Sequence, residues 1–490
     1  MTGVWQLARQ ALVTDSRRVG SHAVRCGLMA VLYLAVAVAH FNQTRAATGL
    51  SLFHSQLLIT AFYLTINAIF GFSQAITEEK EDGTLGLLRL ADISPLSILL
   101  GKTAGRLMDA GLLVGIQFPF TIVAMTLGGV SWAQIVAAYW TLAVYLWLLA
   151  TLAIAASVWC LTGAAAARVT SILVALYVLP PYLAMTGSLR SPLVISLYQR
   201  ISLPLRLTAV TESAFNESPW CPALAFGVLG GLVCLGWSWW VFDRQALTPE
   251  TGGPVRQPVA RQVRSRRVWT CPVIWREFEF LTGGRRWMTI RILTYVLLVI
   301  FMAFVQDTIG HVFAWAALVS GLIAVIDGTW SASRLFRDEI REQTWSSLIQ
   351  TPHNITRLAF DKAAGWLLGM APSIIMPYLF ILTTIMVHEN TRFELAIELV
   401  IGSLTVGVAI FAYLNLLVLM SLFHGWKATP LTLTISFALA WVYVQTAFTS
   451  RMNLMARCGL FFVTAMILAV VMVMLQFLIV RRLSKLGETA

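Results

Sequence analysis

The chain has 490 residues, of which 58% are hydrophobic and only 12% are charged, and its mean hydropathy is +0.76. Soluble domains carry about 25% charged residues, so this composition excludes a soluble domain and indicates a membrane protein with several spans. The formal net charge of +12 could suggest a nucleic-acid partner, but the basic residues concentrate on one predicted side of the membrane. The charge therefore orients the protein in the bilayer and predicts no nucleic-acid binding.

Twelve apolar segments are long enough to cross a bilayer, since a spanning helix needs about 20 mostly apolar residues. The first six are about 24–41, 54–76, 104–128, 132–160, 166–186 and 222–243, and the second six are about 287–306, 311–334, 363–388, 395–423, 428–449 and 456–480. With the N-terminus in the cytoplasm, only seven of the 35 Lys and Arg residues lie on the outer side. We therefore predict an all-α, multi-pass protein of a bacterial inner membrane, with both termini cytoplasmic.

The two halves of the chain resemble each other when one is shifted by 260 residues. Ile76–Gly105, ITEEKEDGTLGLLRLADISPLSILLGKTAG, then aligns without a gap with Phe336–Gly365, FRDEIREQTWSSLIQTPHNITRLAFDKAAG. The identical positions are Glu79/Glu339, Thr84/Thr344, Leu88/Leu348, Lys102/Lys362, Ala104/Ala364 and Gly105/Gly365. Both stretches lie between the second and third spans of a half. We predict two parallel six-helix repeats, residues 1–243 and 272–490, joined by a basic cytoplasmic linker at 244–271.

Each repeat opens with a segment whose apolar residues recur near helical spacing, with charged residues between them. These apolar residues are Val4, Leu7, Ala11 and Leu12 in the first repeat and Val273, Ile274, Phe278 and Leu281 in the second. The pattern predicts one amphipathic helix on the inner leaflet before the first span of each repeat.

The stretch after the second span contains Gly101-Lys102-Thr103, which resembles the end of a phosphate-binding loop. Such a loop needs an earlier glycine where this chain has Leu96, and a β-strand should precede it. We therefore predict that this chain has no ATP site, binds no cofactor and is not an enzyme. The seven histidines show no metal-ligand spacing, so we predict no metal site either.

A charged turn between two helices is the better interpretation of this stretch. Residues 78–82 follow the end of the second span, where their acidic side chains can face water. Gly83 breaks the helix, and Thr84 can cap a short new helix that presents Leu85 and Leu88 on one face. In the second copy Thr344 is the cap and Trp345 and Leu348 form the face. Ser94 and Asn354 are expected to begin the third span of each repeat.

This pattern resembles the loop between the second and third spans of type-2 ABC exporter permeases, the membrane subunits of ATP-binding-cassette transporters. The residues that match the family's pattern are Glu78-Glu79-Lys80, Gly83-Thr84-Leu85, Ser94-Pro95 and Gly101-Lys102. In that family the short helix is the coupling helix, which docks in a cleft of a separate ATPase subunit. The second copy departs from the pattern at Gln343, Ile355 and Asp361, so its contacts are less well defined.

The resemblance implies a permease subunit of an exporter, coupled through loops 78–90 and 338–350 to two copies of a separate ABC ATPase. ATP and Mg²⁺ would then bind to that partner. The implied coupling residues are Glu78, Glu79, Gly83, Thr84, Leu85 and Leu88 in the first copy and Glu339, Thr344, Trp345 and Leu348 in the second. Two other classes stay open: an ion-coupled secondary transporter with a parallel six-plus-six repeat, and a non-transporting membrane scaffold.

A polar residue lies inside the second span of each half: Asn67 in the first and Asp327 at the aligned position in the second. Ionisable groups within a membrane are by default functional hypotheses, and an ion-coupled transporter would need one. The neutral Asn67 favours a structural role instead, in which Asp327 bonds neighbouring helices through Thr329 or Ser331.

Glycines four residues apart begin the third span of each half, Gly101 with Gly105 and Gly365 with Gly369. A stripe of small residues lets another backbone approach closely, so we predict tight helix packing at both places.

Overall fold

The computed structural model describes most of the chain. It covers residues 19–41, 48–81, 83–90, 94–185, 200–213, 220–245, 269–305, 309–341, 344–350, 354–387, 393–424 and 454–488, together with residues 196, 198, 215, 218, 432, 433 and 436. Every regular element within these ranges is helical. The chain divides into two compact units, Met1–Thr251 with Phe437–Val442, and Gly252–Ser436 with Tyr443–Ala490. The predicted repeat boundaries and the linker at 244–271 stay predictions.

The described residues of the first unit form nine α-helices. They are α1 (Val19–Phe41), α2 (Thr48–Phe70), α3 (Thr77–Glu81), α4 (Leu85–Leu90), α5 (Pro95–Thr126), α6 (Trp132–Trp159), α7 (Gly163–Met185), α8 (Leu203–Val210) and α9 (Pro222–Gln245). A 3₁₀ turn at Phe72–Gln74 joins α2 to α3. Helix α2 packs against α5 and α6, and α6 packs against α9. The core between them is apolar, with Phe53, Tyr63 and Leu142 fully buried.

The second unit contains eight helices in the described residues. They are α10 (Pro272–Arg276), α11 (Gly284–Val305), α12 (Ile309–Arg334), α13 (Arg337–Arg341), α14 (Trp345–Ile349), α15 (Ile355–Val387), α16 (Phe393–His424) and α17 (Leu454–Glu488). Helix α12 packs against α15 and α16, and α16 packs against α17. Phe336, Trp366, Leu417 and Leu483 lie in the core that these helices share.

Nine helices of the described residues are long and apolar enough to cross a membrane, by length and composition: α2, α5, α6, α9, α11, α12, α15, α16 and α17. Helices α1 and α7 contain shorter apolar segments, Val24–Ala37 and Ala165–Val178. The protein is therefore a helical, multi-pass membrane protein. The predicted span at 428–449 lies outside the described residues, apart from three isolated positions, and the count of twelve stays a prediction.

Local signals located several helix ends correctly. Ser94 precedes α5, and its side chain accepts a hydrogen bond from the Ser97 amide at 3.3 Å. Asn354 precedes α15 and accepts one from the Thr356 amide, also at 3.3 Å. Gly83 has a φ of +67°, a backbone conformation that glycine adopts without steric strain. These starts and this break are confirmed.

The segment that opens the second unit packs closely on α15. Helix α10 continues as a π-helix at Glu277–Leu281, and both lie against α15. A Cβ atom at Gly365 would lie 2.5 Å from the Ile274 carbonyl oxygen, and one at Gly369 would lie 1.9 Å from Thr282 Oγ1. The tight packing predicted at these two glycines is confirmed. The first opening segment, residues 4–18, lies outside the described residues, so its amphipathic helix stays a prediction.

Candidate functional site

The loop between the second and third spans is built around one glutamate in the first unit. We call residues 78–90 the first charged loop. Lys102 Nζ forms an ion pair with Glu79 Oε1, and Thr84 Oγ1 donates a hydrogen bond to Glu79 Oε2. The Thr84 amide also donates to the Glu79 carbonyl oxygen at 3.0 Å. Glu79 therefore joins α3, the start of α4 and α5.

The second charged loop, residues 338–350, repeats this arrangement. Thr344 Oγ1 donates to Glu339 Oε2, the Thr344 amide donates to the Glu339 carbonyl oxygen at 2.9 Å, and Lys362 Nζ lies 3.2 Å from Glu339 Oε1. Threonine and lysine follow the glutamate by five and 23 residues in both loops. Three of the identical positions found by aligning the halves thus make the same contacts.

The ion-pair cluster around Glu339 contains more charged side chains than the one around Glu79, and it is more deeply buried. The Lys362 side chain is 2% exposed, and its Nζ also lies 2.5 Å from Glu277 Oε1 in the opening segment. Arg276 pairs with Glu339 at 2.7 Å. Two carboxylates therefore face two cations, which a buried lysine needs because an unpaired charge in an apolar core is strongly destabilising. In the first unit the Lys102 side chain is 29% exposed.

Lys80 binds the end of α6. Its Nζ donates to the carbonyl oxygens of Ser157 at 3.3 Å, of Val158, and of Cys160 at 3.0 Å. These carbonyls belong to the last turn of the helix, where oxygens lack intrahelical partners and a cation is favoured. Burial raises the pKa of the Cys160 thiol, and the charge of Lys80 partly offsets that effect. The thiol stays protonated at neutral pH, and Cys160 contacts Lys80 through its carbonyl oxygen.

Glu81 binds the start of the next helix. Its Oε1 accepts a hydrogen bond from the Gly163 amide at 2.8 Å, at the first residue of α7. Ser157 Oγ completes the connection, because it accepts hydrogen bonds from the amides of Ile76 at 3.0 Å and Thr77 at 3.2 Å. The first charged loop is thus bonded to the connection between α6 and α7.

The expectation that these acidic side chains face water is therefore met only in part by the described residues: the Glu78 side chain is 44% exposed and that of Glu79 is 16% exposed. Glu78, Glu79 and Glu81 are half-buried, and Glu78 pairs with Arg106 at 2.8 Å. The reason is that the ends of neighbouring helices present unpaired backbone groups and cations to this loop. Sequence reasoning located the residues but missed these partners.

The short helices α4 and α14 expose different residues from those predicted. Leu85 is only 8% exposed and packs into the core of the first unit, whereas Leu87 is 64% and Leu90 is 85% exposed. The Leu88 side chain lies outside the described part of the structure. Leu85, which was predicted to lie on the exposed face of α4, therefore faces the core. Leu87 and Leu90 are the exposed leucines of this helix.

Helix α14 differs from the prediction in the same way. Trp345 is 4% exposed and lies edge-on to Phe336, with ring centroids 6.1 Å apart. Leu348 is half-buried against the same core, while Ser347 and Gln350 are exposed. Thr344 occupies the cap position, but its hydroxyl donates to Glu339 and accepts no hydrogen bond from the helix. The predicted capping by the Thr344 side chain is therefore wrong.

Asp327 forms an ion pair inside the second unit. Its Oδ2 lies 2.8 Å from Arg291 Nε, and Arg291 Nη1 donates to the Gly369 carbonyl oxygen at 2.8 Å. The predicted side-chain partners bond other groups: Thr329 bonds Tyr413, and Ser331 accepts from Trp366 and donates to the Asp327 backbone carbonyl oxygen at 2.8 Å. Asp327 therefore connects α12 to α11, and through Arg291 to α15. Asn67 occupies the aligned position on α2, where its side chain lies against Gly71.

No protein-family model matches this chain, and no curated protein matches it either. Within the described ranges, no group of three or more His, Cys, Asp or Glu side chains could hold a metal ion. The arrangement as a whole offers anchored, partly apolar loops at one end of each bundle.

Proposed function

We propose that the chain is the membrane subunit of an ABC transporter, an exporter, in which each charged loop docks a separate ATPase subunit. One observation carries the proposal: Leu87 and Leu90 are exposed on a short helix whose base is fixed by charged contacts. Exposed apolar side chains on a rigid element are typical of protein interaction sites. The docking face of the first loop is therefore Leu87 and Leu90, with Leu85 as its inward anchor.

The second charged loop supports the same proposal. Glu339, Thr344 and Lys362 hold it as Glu79, Thr84 and Lys102 hold the first. Its exposed residues, Ser347 and Gln350, are polar, so this loop is the weaker docking site of the two. Two copies of one ATPase subunit dock, one at each loop.

Helix packing supports the proposal of two parallel repeats. In the first unit the contacting pairs include α1 with α2, α2 with α5, α2 with α6, α6 with α9 and α5 with α9. The matching pairs in the second unit are α11 with α12, α12 with α15, α12 with α16, α16 with α17 and α15 with α17. Taken in order along the chain, the same spans of each half pack together. This agreement favours a twelve-span protein made of two six-span repeats.

In this mechanism the ATPase subunits bind ATP and Mg²⁺, and the permease chain binds neither. Closure of the ATPase pair on ATP displaces α4 and α14. Lys80 and Glu81 carry the displacement of the first loop to the connection between α6 and α7. The ion pair between Lys362 and Glu277 carries the displacement of the second charged loop to the opening segment of the second unit.

The ion-coupled alternative loses support from the surroundings of Asp327. Such a transporter needs an intramembrane acid that gains and loses its charge during the cycle. Asp327 is already paired at 2.8 Å with Arg291, which holds a backbone oxygen of α15 as well. A structural role for this pair fits these contacts better.

The test is a double substitution on the first docking helix, Leu87→Asp with Leu90→Asp. Anchors of this kind contribute about 2 kcal/mol or more each, so one substitution should weaken ATPase binding about thirtyfold and the double substitution up to roughly a thousandfold. The affinity and stoichiometry of the co-expressed ATPase subunit would be measured with purified protein in detergent. The matched control is Leu127→Asp, an exposed leucine at the far end of α5.

The purified chain alone should hydrolyse no ATP, and the complex should. If the docking variant binds the ATPase as tightly as the Leu127→Asp control does, this loop is not the docking site. ATP hydrolysis by the chain alone, after contaminating ATPases are removed, would also contradict the proposal.

A further inference from the structure

A small, open groove lies in the second unit where α15, α16 and α17 meet. Its walls are largely apolar, and the residues that matter here are Phe336, Ala359, Phe360, Ala363, Gln476 and Val480. Both α15 and α17 are long and apolar enough to span a membrane, so the groove lies where acyl chains can reach it. Its shape and lining suit a hydrocarbon chain.

Cations lie next to this groove on the same two helices. Helix α15 begins at Ile355 and α17 ends at Glu488, so the groove is near the start of one and the end of the other. Arg357 precedes Phe360 by one turn and Arg481 directly follows Val480, and both arginines are exposed. One exposed arginine therefore lies near groove-lining residues in the sequence of each of these two helices.

Arg482 follows Arg481 on α17 and is not among the residues that line the groove. Its guanidinium lies 4.6 Å from the centroid of the Phe423 ring, and its Nε is buried without a hydrogen-bond partner among the described residues. A buried donor on a cation is satisfied well by an anionic oxygen. Asp361 is the single acid in residues 355–363, and 476–485 contain none, so the local balance is positive.

We propose that this groove binds an anionic phospholipid, with an acyl chain against Phe360 and Ala363 and the headgroup phosphate between Arg357 and Arg481. A zwitterionic lipid has the same acyl chains, so it competes for the apolar walls. It lacks the net negative charge that basic sites between transmembrane helices select. The inference does not depend on an ATPase partner.

A lipid bound in the groove should stabilise the second charged loop. Phe336 forms part of the groove wall, its ring lies edge-on to Trp345, and Lys362 Nζ lies 5.8 Å from its centroid. A chain packed on Phe336 therefore supports the base of α14. Lipid binding should make the second charged loop more resistant to hydrogen exchange.

The experiment measures lipid binding to the purified full chain by native mass spectrometry. Phosphatidylglycerol and phosphatidylcholine with identical acyl chains are the two probes. Phosphatidylglycerol should bind more tightly, and Arg357→Ala and Arg481→Ala should each weaken it roughly fivefold, with little change for phosphatidylcholine. Ala363→Trp, which fills the groove, should greatly reduce the binding of both lipids. Ala363→Leu is a milder second variant if the tryptophan impairs folding.

The matched control removes two other exposed arginines, Arg285→Ala with Arg286→Ala at the start of α11. Binding of phosphatidylglycerol to this control at wild-type strength supports a specific site. An equal loss in the control would show non-specific attraction and overturn the proposal. Equal binding of the two lipids to the wild type, or undiminished binding to a folded Ala363 variant, would overturn it as well.

Discussion

Lys362 and Lys102 occupy aligned positions but differ in how far water reaches them. Lys362 is almost fully buried between two carboxylates, whereas Lys102 and Glu79 are partly exposed. Removing one partner of a buried ion pair leaves an uncompensated charge in an apolar core. The same removal near the surface leaves a charge that water can solvate. Identical residues in the two halves therefore contribute unequally to stability.

We predict that Lys362→Met lowers the free energy of unfolding by about 3–5 kcal/mol, because Glu277 loses its ion pair with Lys362 and Glu339 keeps only the cation of Arg276 among the described residues. Lys102→Met should lower it by about 1 kcal/mol or less. The measurement is thermal or denaturant unfolding of each purified variant in the same detergent. Equal losses for the two variants would show that burial does not set the difference.

For single residues, sequence-based predictions were correct where a residue acts on its neighbours in the chain. Gly83, Ser94 and Asn354 act on the backbone within a few residues, so their effect could be read from their neighbours. Arg291 lies 36 residues before Asp327, and no local pattern connects the two. The nearby hydroxyl groups were therefore the predicted partners. An ion pair between two helices depends on how the helices pack.

At the scale of elements, the opening segment approaches α15 closely. The Ile274 carbonyl oxygen and Thr282 lie where any side chain on Gly365 or Gly369 would extend. This approach also brings Glu277 within reach of Lys362. The glycines thus permit the ion pair, although they carry no charge themselves.

We predict that Gly365→Ala displaces the opening segment, because the added Cβ would lie 2.5 Å from a backbone oxygen that cannot rotate away. The loss of stability should be about 1–3 kcal/mol, with faster hydrogen exchange over residues 272–282. The matched control is Gly321→Ala in α12, where an added Cβ meets no atom within 4 Å. That variant should be neutral or slightly more stable, since alanine favours helix. Unchanged exchange in Gly365→Ala would contradict the packing.

Helix α4 shows why exposure was harder to predict than helix position. The short apolar run after Gly83 places leucines at four of six positions of α4, so their spacing alone allows more than one buried face. Leu85 is buried because the contact between Glu79 and Thr84 holds the start of α4 against the bundle. That contact forms only when the chain turns at Gly83 and brings Thr84 back to Glu79. The sequence pattern alone therefore could not show which of Leu85 and Leu87 is buried.

At the scale of the whole molecule, composition and hydropathy located most of the spans. The described helices cover eleven of the twelve predicted segments. Their ends differ by up to nine residues, and the largest difference is at α5, where the Ser94 cap begins the helix at Pro95 and not at residue 104. Which helices pack together was not predictable, since most faces of a membrane helix are apolar. The orientation rests on the distribution of basic residues alone.

We predict the side of the membrane for three exposed serines when each is replaced by cysteine in a cysteine-free background. Ser94→Cys and Ser347→Cys should react with an impermeant thiol reagent only from the cytoplasmic side, and Ser213→Cys only from the outside. Labelling is compared in intact cells and in inverted vesicles. Reaction of Ser94→Cys and Ser213→Cys from the same side would refute the topology.

The contact between Glu277 and Lys362 also sets an order of events during synthesis. The two residues are 85 positions apart, whereas Glu79 and Lys102 are 23 apart. A ribosome adds about 5–20 residues per second, so Glu277 emerges about 4–17 s before its lysine, and Glu79 about 1–5 s before its own. During that interval the helices of the second unit enter the bilayer while this carboxylate still lacks Lys362. The ion pair between Glu277 and Lys362 therefore forms only after α11, α12 and the start of α15 have been synthesised.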